Sequence, residues 1–141
     1  MKTLYLAHPF DDRFLVREWE LDFETRTGIQ LVNPFYDITR KDVDPIDCGR
    51  AQRYELLNPD ELVERDVNTI VKQDGLVAII SGALSYGTIQ EMVYGKLYHK
   101  PVYSIITNGH HQHPWLQYHS TKIFLNREEF EKFVTDKLVE K

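Results

Sequence analysis

The stretch SYGTIQE, residues 85 to 91, sets a serine, a glycine and a threonine ahead of a glutamate. Thr88 and Glu91 have capping-box spacing, in which a threonine hydroxyl and a glutamate carboxylate satisfy two orphan backbone N–H groups at a helix start. The same spacing also suits chemistry. In the first turn of a helix the positive end of the macrodipole favours an ionised carboxylate, the state a nucleophile needs near neutral pH. Gly87 would let a ligand approach the backbone, and amides at such a turn can hold a phosphate or another oxygen. Spacing alone leaves both readings of Glu91 standing.

Other reactive groups weigh less. Asp66 lies inside a helical run, where it reads either as solvated surface or as a group turned toward the sheet edge, and Asp74 directly precedes a strand, as a turn residue would. DVDPIDCG has three aspartates, but not at the alternate positions of a calcium loop. The histidines of HHQH point in different directions and lack a cysteine or a helical His pair, so they read as a surface or substrate-contact loop rather than a zinc centre. Cys48, the only cysteine, reads as a small packed residue. Neither GxGxxG nor GxxxxGK[ST] occurs. No metal or organic cofactor is implied.

These groups need a scaffold. TLYLA (3 to 7), IQLVNPF (29 to 35), DGLVAII (74 to 80), KPVYSII (100 to 106) and a short KIFL read as strands. A helix is expected from Asp11 or Asp12, as cap, to about Thr27, with Phe14, Leu15, Trp19 and Leu21 to Phe23 inward and Gly28 ending it. A second, 58 to 73, is capped by Asn58 and turns Leu62, Val63, Val67, Ile70 and Val71 to one face. A third spans about Tyr86 to His99, and NREEFEKFVTDKLVEK forms the last. The segments from Tyr36 to about Asn58 and TNGHHQHPWLQYHS read as loops. Strands alternating with helices imply a parallel sheet covered on both faces, a flavodoxin-like or Rossmann-like three-layer α/β sandwich of about five mostly parallel strands. Ligands of such sheets collect at the carboxyl ends of strands near a switch in strand order.

Composition bounds the partners. A chain of 141 residues, 42% apolar, fits a single domain over 1–141. Its 17 basic against 22 acidic residues, net −5, disfavour a broad grip on a nucleic-acid polymer or an anionic membrane. A small anionic ligand is compatible with that charge. A lone cysteine and the lack of an N-terminal address fit a reducing, cytoplasmic setting.

YLAHPF, VERDVNTIVKQDGLVAII and SYGTIQEMVYGKLYHKPVYSII, in that order and spacing, resemble the nucleoside 2-deoxyribosyltransferase superfamily, which includes 2′-deoxynucleoside 5′-phosphate N-hydrolases. The resemblance implies cleavage of an N-glycosidic bond with Glu91 as nucleophile, through a glycosyl-enzyme intermediate that a second base or water resolves. It implies that Asp66, paired with Asp74 eight residues on, handles the sugar and leaving base, and that Tyr5 positions the sugar or the nucleophile. Where the transferases tend to carry an aspartate for the sugar 5′-hydroxyl, this chain has Ser85, which can donate a hydrogen bond to a 5′-phosphate that an aspartate would repel. On that reading Ser85, Gly87 and Thr88 bind the 5′ end, His8 and Arg13 add positive potential, and Phe10 or Trp115 stacks on the base. The chain departs from the family at Val93 and Lys96, which replace small residues, and at His8, where a glycine is common. The implied partner is a small deoxynucleoside or deoxynucleotide, and the implied assembly a homo-oligomer whose HPWLQYHS segment reaches a neighbouring site. The competing expectation is a nucleotide-binding or sensing module on the same fold, with Glu91 kept as a helix cap.

Overall fold

The computed structural model describes residues 1–36, 59–82 and 85–139. Along the chain run β1 (Thr3–Ala7), a 3-10 turn (Phe10–Asp12), α1 (Arg13–Thr27), β2 (Gln30–Val32), α2 (Pro59–Lys72) and β3 (Gly75–Ile80). Then follow α3 (Tyr86–Leu97), β4 (Val102–Ile106), α4 (Pro114–His119), β5 (Lys122–Phe124), α5 (Arg127–Phe133) and a π-helical turn (Val134–Leu138). The strands form one sheet in the order β2-β1-β3-β4-β5, every pairing parallel. This is the flavodoxin-like order, and its switch point lies between β1 and β3.

Period-two alternation sorts the strand side chains into two cores. Leu4, Leu6, Val77 and Ile79 turn to the face covered by Val16 and Phe23 of α1 and Phe130 of α5. Tyr5, Ala7, Leu76, Ala78 and Ile80 turn to the other, covered by Ile70 of α2, Met92 of α3 and Leu116 of α4. Every residue of β3 is buried, which is why its sequence is a continuous apolar run rather than an alternating one. Helix α3 sits close against this sheet: a Cβ on Gly95 would come within 3.0 Å of Val102 Cγ2 and 3.5 Å of Leu76 Cδ1. Gly28, at φ 76°, closes α1 in the left-handed conformation with its N–H on Glu24 O.

Several expected details are corrected. Phe14, Leu15 and Leu21 are exposed, while α1 buries Val16, Arg17, Glu20 and Phe23. The inward face carries a buried ion pair, Arg17 Nη1 to Glu20 Oε2 at 2.6 Å, which apolar periodicity cannot register. Asp12 holds the N-cap position of α1, after a 3-10 turn, but makes no side-chain cap bond, and its carboxylate accepts a hydrogen bond from Ser81 Oγ at 3.0 Å instead. Val63 and Val71 of α2 are exposed, since its buried residues are Thr69 and Ile70. The segment after β4 contains α4, which starts at Pro114 with His113 as side-chain cap. Asn58, Cys48 and the DVDPIDCG aspartates lie outside the described residues. No described helix is long and apolar enough to cross a membrane, and no group of three or more metal-type ligands occurs among the described residues.

Candidate active site

Tyr5 is the central residue of β1, fully buried, and the sheet's alternation turns it toward α2 and α3. Its hydroxyl donates to Glu91 Oε2 on α3. Asp66, on α2, bears electrostatically on both Tyr5 and Glu91. A phenol of β1 and a carboxylate of α3 thus meet, with a second carboxylate of α2 within electrostatic reach, beside the β1/β3 switch point, where an open parallel sheet ordinarily holds its ligand.

The cap of α3 differs from the capping-box expectation. Ser85 is the N-cap, its Oγ accepting from Thr88 N, so Glu91 stands in the second turn and caps nothing. That removes the first-turn dipole as the reason for an ionised Glu91. Burial dominates instead and raises its carboxyl to about 8. The Tyr5 hydrogen bond and the Arg65 cation oppose the rise, and Asp66 adds to it. The free protein therefore holds Glu91 largely protonated at neutral pH, with roughly a tenth ionised at pH 7. Tyr5 is raised well above 10, by burial first and by Glu91 second, and so remains a donor throughout. Asp66 is also raised by burial, against the lowering effect of Arg65.

The remaining expected residues divide by location. Ser85, Gly87 and Thr88 form the first turn of α3. The buried Thr88 Oγ1 has no hydrogen-bond partner among the described residues. A Cβ on Gly87 would meet only Ser85 Oγ, at 3.9 Å, so internal packing does not demand glycine there. His8, Phe10 and Arg13 follow β1, and both His8 and Phe10 pack edge-on against Phe35 beyond β2. The Arg13 guanidinium lies over Phe10 at 3.9 Å and Phe14 at 4.4 Å, and Nη1 donates to Phe10 O at 3.2 Å. His8 is buried, and desolvation pushes its imidazole below 6.5, so it is neutral at neutral pH and supplies no positive potential. Its buried Nε2 has no hydrogen-bond partner among the described residues.

Two residues stand apart from the cluster. Trp115 is 71% exposed on α4. With Leu116 and His119 it lines an apolar cavity of about 140 Å³ against Ile89, Met92 and Val93 of α3. Glu91 and Asp66 are not among the residues lining that cavity. Asp74 lies at the amino end of β3, where Oδ2 accepts from Lys2 N at 2.7 Å and Thr3 N at 3.1 Å. It pins the start of β1, so the pairing with Asp66 does not extend to shared location. Sequence reasoning missed Arg65, which bonds Asp66, and Asn33, whose Nδ2 donates to buried Glu20 at 2.9 Å. A contact between sequence neighbours such as Arg65 and Asp66 has no periodic signal. Asn33-Pro34 reads simply as a strand end.

No protein-family model and no curated protein sequence matches this chain. Solved structures do. A 2-deoxyribosyltransferase from Bacillus psychrosaccharolyticus is similar at 16% identity over 99% of this chain and 97% of its own, TM-score 0.71. A 2-deoxyribosyltransferase from Leishmania mexicana is similar at 13% identity over 97% and 99%, TM-score 0.65. A CMP N-glycosidase from Clostridium botulinum is similar at 16% identity over 94% and 97%, TM-score 0.59. This chain has the deoxyribosyltransferase fold. The fold accounts for the whole arrangement of sheet and flanking helices, since each alignment covers nearly all of both chains. At these identities it says nothing by itself about any side chain of the cluster, whose chemistry rests on its own geometry.

Proposed function

We propose that this protein is a member of the nucleoside 2-deoxyribosyltransferase superfamily that cleaves the N-glycosidic bond of a nucleoside or its 5′-monophosphate. The observation that carries the reading is the cluster of Tyr5, Asp66 and Glu91. It is supported by three structural neighbours that transfer deoxyribosyl groups or cleave CMP. Ionised Glu91 attacks the anomeric carbon. The C–N bond breaks through an oxocarbenium-like transition state, its electron pair leaves with the base, and the base takes up a proton. The glycosyl ester on Glu91 is then opened at the same carbon by water, which loses a proton, or by a second base, with net retention. Tyr5 holds the attacking carboxylate and favours its charge, because its hydrogen bond strengthens as the carboxyl ionises. Asp66 faces the departing base, which it protonates or orients.

The 5′ end falls to the first turn of α3. Ser85 Oγ, the unpartnered Thr88 hydroxyl and the open backbone at Gly87 suit phosphate oxygens at a helix N-terminus, and Arg13 supplies charge. A serine in place of an aspartate favours the monophosphate over the nucleoside.

The test is a screen of nucleosides and 5′-monophosphates, deoxy and ribo, with and without an acceptor base, resolved by chromatography. Free base released without acceptor identifies a hydrolase, and base exchange that requires acceptor identifies a transferase. Thermal stabilisation by a nucleotide without turnover refutes catalysis in favour of a sensing module.

A further inference from the structure

Arg65 is absent from every role assigned so far, yet it makes three hydrogen bonds at the edge of the cluster. Nε and Nη2 both donate to Asp66 Oδ1, at 3.1 and 3.0 Å, and Nη2 also donates to Pro34 O at 3.2 Å. The guanidinium is half-exposed, and the Asp66 side chain keeps only 21% of its exposure. An ion pair between neighbouring surface residues ordinarily contributes little, because both side chains have other places to go. Here Nη2 is shared with Pro34, the buried residue after Asn33, so the guanidinium is anchored just beyond β2 as well as to α2. No described residue bonds Asp66 Oδ2.

The geometry points to Arg65 as a positioning residue that acts through Asp66, occupying Oδ1 so that Oδ2 is the oxygen presented to the departing base. The inference deepens the proposed reaction and rests on it for the identity of the group that Oδ2 meets. It also separates the two carboxylates by role. Asp66 has a cation on one oxygen and its second oxygen open toward the base, whereas among the described residues Glu91 has only the Tyr5 hydroxyl as hydrogen-bond partner. The groups bearing on Glu91 are Tyr5 of β1 and Asp66 and Arg65 of α2. The group bearing on Asp66 is Arg65, and Asp66 in turn bears on Tyr5 and Glu91. Arg65 is thus the one cation acting on both carboxylates among the described residues. A lysine could replace its charge, but not two N–H groups on one oxygen together with a third bond to a carbonyl.

The test uses the full chain with Arg65→Gln and Arg65→Lys. We expect Arg65→Gln to lower kcat roughly 10-fold or more with a smaller change in KM, and Arg65→Lys to fall between it and wild type. The Asp66 carboxyl carbon, followed by 13C NMR and assigned with Asp66→Asn, should titrate at higher pH in Arg65→Gln by about half a unit or more. That readout does not need turnover. An unmoved Asp66 midpoint in Arg65→Gln overturns the inference whether or not the protein is an enzyme. So does a variant that melts earlier but retains wild-type kcat per folded molecule, which would make Arg65 structural. A shifted midpoint in a protein that cleaves none of the screened substrates supports the Arg65 to Asp66 placement and defeats the glycosidase reading instead.

Discussion

Replacing Glu91 by glutamine should abolish turnover and, at alkaline pH, make the protein more stable. Burial moves the Glu91 carboxyl from its ordinary 4.5 to about 8 in the folded state. Below pH 4.5 both folded and unfolded chains carry the proton, and the side chain costs nothing. Between 4.5 and about 8 the unfolded chain ionises while the folded one does not, so stability is lost as pH rises and levels off above the folded value. At about 1.4 kcal/mol per pH unit, full expression of that rise would cost about 5 kcal/mol. Glu91 retains some solvent contact, so we expect ~2–4 kcal/mol to be realised. Glutamine has the shape of the protonated acid and no charge to desolvate. Glu91→Gln should therefore match wild type near pH 5 and exceed it at pH 9, by roughly 6–15 °C in Tm for a chain of this size. Urea unfolding of both proteins at the two pH values measures the difference directly. An equal gap at pH 5 and pH 9 would refute the claim that Glu91 is held protonated by burial.

The other perturbations test neighbouring parts of the site. Tyr5→Phe removes the donor that favours the Glu91 carboxylate, so its titration should move to higher pH; kcat/KM at pH 7 should fall about 10–100-fold and partly recover above pH 8. Ser85→Asp keeps a good N-cap for α3 but puts a negative charge at the first turn. It should cut use of 5′-monophosphates by more than about tenfold relative to nucleosides, measured as the ratio of the two kcat/KM values, and an unchanged ratio would exclude Ser85 from 5′-end recognition. Glu20→Ala leaves Arg17 buried without its carboxylate and takes away the acceptor of Asn33, so urea unfolding should show a loss of about 3–5 kcal/mol. A loss well below that would mean that Arg17 finds water or another acceptor.

The alternation of apolar runs and amphipathic helices was enough to specify a parallel α/β sheet, because burial on both faces writes itself into β3 as an unbroken apolar run. Gly28 and the strand at KIFL were equally legible from local chemistry. Helix α4 was not, since a six-residue helix has too few turns to show a period and only Pro114 hints at its start. The inward face of α1 was misread for a related reason: apolar counting finds Phe14 and Leu15, but the interior there accepts Arg17 and Glu20 as a paired unit.

At the site, the sequence alone nominated Glu91 and Asp66 by type and by family resemblance, and could not choose between a helix cap and a reactive group. Tertiary structure removes the cap from that choice. Ser85 takes the cap, and parallel pairing at the β1/β3 switch sets Tyr5 under Glu91 and brings Asp66 across from α2. The charge state was likewise beyond any reading of spacing, because a carboxyl's affinity for its proton depends on the solvent it loses and the donors it gains. The donor Tyr5 and the nearby charge of Asp66 lie 86 and 25 positions away along the chain, and only the folded sheet and its helices bring them to bear on Glu91.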